Sequence, residues 1–206
     1  MLINGQAARL EAGTISDNIE GIFEKTGAIL NGHFLLTSGL HSPVYWEKFR
    51  VLQFPNYTEQ LCRLISTRFS KHKVDVVAGP TTGGIILAHE VGRQINARSI
   101  FAEKEGDDKR IFRRGLGINP GERVLIVDDV LTTGKSIREV LELVKKQGGD
   151  VVGIAVLVDR SEKKHKFGAP LFGCLRSVTQ TYDPQHCPLC AAGVPLTKPG
   201  GGKVSI

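Results

Sequence analysis

The sequence predicts an α/β protein with a doubly wound, mainly parallel sheet. Two all-apolar runs carry that prediction, Val124–Val127 and Val151–Val158, each stopping at an acidic residue, Asp128 and Asp159. Short β-branched runs of this kind suit strands covered on both faces. The third observation is alternation. Val74–Ala78 and Ser99–Ala102 read as further strands, and helix-patterned segments at 56–71, 84–96 and 135–147 lie between the strands. Gly148-Gly149 supplies the stop after the last helix.

Two stretches fall outside the alternation. Residues 29–55 mix glycine, proline and aromatics, and residues 161–206 become rich in proline and glycine. Both are expected to pack together as a small hood over the sheet of a single domain. Glu103 to about residue 118 is a polar, glycine-dotted connection, long for its place between strands, and is expected to form a mobile lid.

Composition narrows the class. The chain has 206 residues, 41% hydrophobic and only 6% aromatic, so aliphatic side chains must build most of the core. The longest apolar run is far short of a membrane span, and the first residues lack a basic-then-apolar signal layout. The expectation is a cytoplasmic protein with no membrane partner. Four cysteines, Cys62, Cys174, Cys187 and Cys190, are too few and too scattered for a disulfide scaffold. The net charge of +6 suits a phosphorylated ligand or a basic surface. The densest basic cluster, Lys109–Arg114, lacks the interleaved aromatics of a single-strand binder, so nucleic acid is not the expected partner.

The segment Val124–Ser136, VLIVDDVLTTGKS, carries the chemistry. Its strand delivers Asp128 and Asp129 to the carboxyl end, where open α/β sheets bind ligands. Ionised carboxylates only accept hydrogen bonds, so they suit neighbouring hydroxyl donors such as those of a ribose. Thr132, Thr133, Gly134, Lys135 and Ser136 then open a helix whose first N–H groups can wrap a phosphate. Charged hydrogen bonds of about 1.5–3 kcal/mol each outweigh a helix-dipole contribution of about 0.3–1 kcal/mol. A receiver domain would carry its acidic pair on the first strand, whereas here most of the sheet precedes it. A P-loop enzyme would need G-x-x-x-x-G-K-[ST], which the sequence does not contain.

VLIVDDVLTTGKS resembles the 5-phosphoribosyl 1-pyrophosphate (PRPP) signature of type I phosphoribosyltransferases. From about Gly32 to Arg160 the chain resembles the orotate branch of that family. His33–Trp46 resembles its N-terminal stretch, with Ser38-Gly39 and Ser42-Pro43 in the S-G and S-P positions. Gly79–Gly84 (GPTTGG) resembles its pyrophosphate turn, Ala102–Gly106 the start of its catalytic loop, and Val158–Arg160 a strand end whose arginine meets the orotate carboxylate. The resemblance implies a type I phosphoribosyltransferase-like fold, pentosyl transfer from PRPP to orotate, Mg2+ entering with PRPP, and a homodimer.

It also implies roles. Asp128 and Asp129 hold the ribose hydroxyls, and these two with Lys104 form the catalytic group. Thr82, Gly83, Lys104 and Asp128 through Ser136, with Val130 and Leu131 included, meet PRPP. Tyr45, Trp46, Thr132 and Arg160 meet orotate. Three family cations are absent. Threonine stands at 37, Thr82-Gly83 replaces a bulky residue plus lysine, and glutamate stands at 103. Other bases, or a PRPP-sensing RNA-binding regulator, remain as alternatives.

The tail carries His186-Cys187-Pro188-Leu189-Cys190. Cys-x-x-Cys is half of a tetrahedral metal site. His186, Cys187 and Cys190 are candidate ligands, with Cys174 as a conceivable fourth, against the plainer reading of two small thiols in a loop.

Overall fold

The computed structural model describes residues 19–36, 38–106 and 109–199. In order these form α1 (Ile19–Lys25), β1 (Ile29–Leu35), β2 (His41–Trp46), α2 (Phe49–Leu52), α3 (Pro55–Phe69), β3 (Val76–Pro80), α4 (Gly83–Ile95), β4 (Arg98–Glu105), β5 (Lys109–Ile111), β6 (Arg123–Leu131), α5 (Lys135–Lys146), β7 (Asp150–Asp159), β8 (Leu171–Arg176) and α6 (Pro188–Ala191).

The sheet runs β5-β4-β3-β6-β7-β8. All neighbours are parallel except β4 and β5, which form an antiparallel hairpin. The chain leaves β3 through α4 toward β4 on one side, and later enters β6 on the other side. The strand order therefore reverses between β3 and β6, and the crevice at their carboxyl ends is where such sheets take ligands.

Strand alternation sorts the core into two layers. Leu125 and Val127 of β6 face one side with Leu61, Ile65 and Phe69 of α3 and Leu87 and Val91 of α4. Val124 and Ile126 face the other side with Ile137, Val140, Leu141 and Val144 of α5. Those four sit at helical spacing, which is why α5 forms one buried stripe. Pro55 opens α3 at a position where its missing N–H costs nothing. Gly148, at φ 81°, takes the left-handed step that ends α5.

The expected strands and helices at 74–102 and 124–158 agree with the structure to within a few residues at their ends. The tail differs. Residues 171–176 lie in the main sheet as the edge strand β8, paired with Ile154–Asp159, rather than in a hood. β8 is short and only half-buried, so it lacks the unbroken apolar run that marks β6 and β7. The remaining tail does meet the β1–β2 hairpin: Leu35 N–H donates to Thr197, Thr197 N–H donates to His33, and His41 exchanges two backbone bonds with Tyr182.

Within the expected lid, residues 103–105 and 109–111 pair as the β4–β5 hairpin, and Arg110 fastens it. Its guanidinium, 5% exposed, reaches Glu139 at 2.9 Å, the Thr81 hydroxyl at 3.1 Å and the Ala102 carbonyl at 3.1 Å. Replacing Arg110 by alanine leaves Glu139 without its cation in a mostly buried place, and chemical denaturation is expected to show a loss of about 2–4 kcal/mol. Gly153 is a second test of packing. A Cβ there would overlap the ring of Phe69, at 2.1 Å from its nearest carbon. Phe69 is only 1% exposed and has no room to swing away. Gly153→Ala is expected to cost about 1–3 kcal/mol by the same measurement, and an unchanged midpoint would contradict that tight approach of α3 to β7.

Candidate active site

The turns after β3 and β6 meet at the crevice. After β3 the chain turns through Gly79–Gly84, with the Thr81–Thr82 peptide cis. The turn is tight enough that a Cβ on Gly79 would lie 2.2 Å from the Gly84 carbonyl oxygen. Gly83 starts α4 and touches the other turn directly, since a Cβ there would lie 2.0 Å from Asp129 Oδ2.

Asp128 and Asp129 are each 5% exposed. Asp128 is tied inward. Its Oδ1 accepts from the Asp129 N–H at 2.8 Å and its Oδ2 from the Ser136 hydroxyl at 2.6 Å. Burial, and then the neighbouring charge of Asp129, push its carboxyl up from 3.8 to about 7, while the Ser136 hydroxyl works in the opposite direction. Asp129 accepts from the Val130 N–H at 2.7 Å and pairs with Lys48 Nζ at 3.1 Å. Burial lowers the Lys48 ammonium, but attraction to Asp129 and Asp128 outweighs it and holds its pKa above the ordinary value.

Beyond the pair, Leu131 is buried and Thr132, Thr133 and Lys135 are exposed, so the turn faces out from the core. Gly134 sits at φ 74°, and a Cβ there would lie 2.9 Å from the Phe167 ring. Arg138 holds the turn from behind by donating to the Thr133 carbonyl at 2.7 Å, and its other arm lies 3.1 Å from His165. The first turn of α5 thus presents its N–H groups at the mouth of the crevice, as an anion cradle requires.

A cavity of about 510 Å³ opens beside these turns, lined among others by Tyr45, Lys48, Asp129, Thr132, Thr133 and Arg160. Asp128 stands behind Asp129, outside that lining. A groove of about 580 Å³ beside α3 and α4 contains none of the motif residues. Arg160 follows β7 and its N–H donates to the Leu131 carbonyl at 2.8 Å. Its Nε is buried and has no hydrogen-bond partner among the described residues. Burial pulls its guanidinium below the usual range, partly offset by Tyr45. The neighbouring Asp159 pairs with Arg176 at 3.3 Å and accepts from Ser161, so Asp159-Arg160 is not an ion pair of its own.

Tyr45 and Trp46 divide. Tyr45 lines the cavity near Phe34, with ring centroids 5.7 Å apart. Trp46 also reaches the lining, but it is 6% exposed and its ring packs edge-on against Phe23 at 5.1 Å, so most of it is core. Lys104 is exposed on β4 opposite Arg110, outside the cavity lining. Arg113 and Arg114 pair with Glu105 and Glu103 at 3.2 and 2.8 Å on the same hairpin. Thr37 lies outside the described residues.

No motif in the sequence marks Lys48 as a site residue. It stands two residues past Trp46 and meets Asp129 only through the fold, at the place that Gly83 leaves without a side chain. The only local signal was its position just beyond the aromatic pair.

A family model described as "Phosphoribosyl transferase domain" matches residues 50–183. The chain belongs to the phosphoribosyltransferase family. The orotate phosphoribosyltransferase of Caldanaerobacter subterraneus subsp. tengcongensis is 49% identical to this phosphoribosyltransferase over 183 residues, covering 89% of this chain and 96% of the relative. That of Desulforamulus reducens is 48% identical, covering 92% and 98%. The crystal structure of orotate phosphoribosyltransferase from Aeropyrum pernix superposes with a TM-score of 0.65 at 27% identity, covering 77% of this chain and 93% of that one.

The raised Asp128 makes a signed prediction. Between pH 3.8 and about 7 the folded protein keeps a proton that the unfolded chain has released, so this group lowers stability as pH rises through that window. Asp128→Asn removes the charge. Its stability relative to the parent is expected to improve between pH 5 and pH 8, by a few kcal/mol at most, while PRPP binding weakens. Denaturant melts at the two pH values check this, and a pH-independent difference would show that the carboxyl is ionised throughout.

Proposed function

We propose that this protein transfers phosphoribose from PRPP to orotate, giving orotidine 5′-monophosphate and pyrophosphate, a step of pyrimidine biosynthesis. One observation carries the choice of base class. A half-buried arginine, Arg160, lines the cavity beside Tyr45, Asp129 and Thr132, and its Nε has no hydrogen-bond partner among the described residues. A planar carboxylated base satisfies that group, and a neutral purine leaves it unpaired. The relatives' activity supports the same reading.

The residues divide the work. The amides of Thr132–Ser136 receive the 5′-phosphate, and Asp129, with Asp128 behind it, receives the ribose hydroxyls. Thr82 and Gly83 border the pyrophosphate. Arg160 and Tyr45 hold orotate so that its nitrogen meets C1. The bond from C1 to pyrophosphate breaks and the bond from the base nitrogen to C1 forms, through an oxocarbenium-like state. No covalent nucleophile is needed, so positioning and water exclusion supply the catalysis.

Lys48 supplies positive charge beside Asp129, in the place where the family pattern has a lysine at position 83. Lys104 meets the pyrophosphate when the β4–β5 hairpin approaches, from its own chain or from the second copy of a homodimer. Mg2+ is carried mainly by the oxygens of the substrate. When bound, Mg2+ neutralises pyrophosphate charge. Among the described residues no helix is long and apolar enough to cross a membrane.

The test is a PRPP-dependent absorbance assay with orotate and a panel of other bases. Arg160→Gln is expected to lower kcat/KM for orotate about 100-fold or more, roughly 3 kcal/mol, with little change in KM for PRPP. Lys48→Met is expected to raise KM for PRPP with less effect on orotate. Turnover of another base without turnover of orotate would overturn the substrate assignment.

A further inference from the structure

The Cys-x-x-Cys of the tail has partners that are remote in sequence. His33 of β1 and His41 of β2 converge on Cys187 and Cys190, and their four ligand atoms all lie within 4.8 Å of one another. Cys187 Sγ is 3.5 Å and Cys190 Sγ 3.8 Å from His33 Nε2, and Cys190 Sγ is 3.3 Å from His41 Nδ1. His186 stands outside this group. Its side chain is 84% exposed and lies 4.0 Å from Asp183. Cys174 is elsewhere too, buried against the Leu61 carbonyl.

We propose that His33, His41, Cys187 and Cys190 form a structural zinc site that fastens the tail to the β1–β2 hairpin. Zinc–sulfur bonds of about 2.3 Å and zinc–nitrogen bonds of about 2.05 Å, arranged tetrahedrally, set sulfur–nitrogen spacings of about 3.6 Å. The three sulfur–nitrogen distances, 3.3, 3.5 and 3.8 Å, bracket that value. The two imidazole nitrogens are 2.8 Å apart, and a metal would spread them by about 0.5 Å. Two thiolates with two imidazoles in a closed arrangement is the donor set of a structural zinc.

Supporting contacts hold these ligands in place. His33 Nδ1–H donates to the Val194 carbonyl at 2.8 Å, which leaves the Nε2 lone pair facing the cluster. A register shift in the hairpin between Asn31 and Phe34 places His33 inward. His33, His41 and Cys187 are 2%, 5% and 4% exposed, so the polar groups are sheltered, whereas Cys190 sits at the surface.

The clip bears on the cavity. Leu35, Leu36 and Tyr45 of the hairpin and Thr179, Thr181 and Pro199 of the tail all line it. Zinc joins the two segments at one point and so fixes the wall that faces the base. The metal assignment is independent of the substrate assignment, because its readouts need no turnover.

The experiment is metal analysis of the full chain purified under reducing conditions. About one zinc per chain is expected for the parent and for His186→Ala, and near none for His41→Ala or Cys190→Ser. In parallel, Co2+ added to the reduced, zinc-stripped parent should give the intense visible bands of a tetrahedral ion and a thiolate-to-cobalt charge-transfer band, with a rise in Tm. That measurement needs no variant to fold. A reduced parent that binds neither metal, a Cys187–Cys190 disulfide in the purified protein, or stoichiometric loss of zinc in His186→Ala would each overturn the proposal.

Discussion

Two carboxylates stand side by side at the end of β6, buried and three bonds of backbone apart, and their mutual repulsion constrains everything around them. Desolvation drives Asp128 toward the neutral form. The structure relieves each differently. Asp128 is turned inward onto Ser136, and Asp129 is turned outward onto Lys48. One acid therefore braces the turn that follows it, and the other faces the crevice. The glycine at 83, the small residues of the turn and the half-buried lysine are all consequences of accommodating that pair where strand order reverses.

The hairpin β4–β5 answers to the same crevice from the opposite side. Arg110 ties it to the Thr81 hydroxyl, which belongs to the turn after β3, and to Glu139 on α5. Three elements that border the crevice are thus joined through one guanidinium. The densest basic cluster of the sequence is divided by function: Arg110 is internal bracing, and Arg113 and Arg114 pair with Glu105 and Glu103.

Much of the sheet was legible because β6 and β7 are covered on both faces and so must be apolar throughout. Asp128 through Ser136 were legible because strand, acids, glycine and helix start follow one another without interruption. Lys48 and the pair His33 and His41 were not. Their partners are about 80 and 150 residues away along the chain, and no periodicity marks a contact that only the tertiary fold creates. His186 adjoins Cys187 in sequence, yet it closes the short 3-10 turn Pro184–His186 and its side chain stands out in solvent near Asp183. β8 is hidden in the sequence for a related reason: Leu171–Arg176 is short, and only Cys174 of it is fully buried, so it shows no unbroken apolar run.

The bare backbone at Gly83 also has an evolutionary consequence. Any side chain introduced there would overlap, at its Cβ, the Asp129 oxygen that Lys48 holds, so Asp129 must turn away and release Lys48. A lineage that gains a side chain at 83 thus loses the use of the lysine at 48. The two positions are therefore expected to have changed together, and lineages should carry a lysine at one or the other but seldom at both.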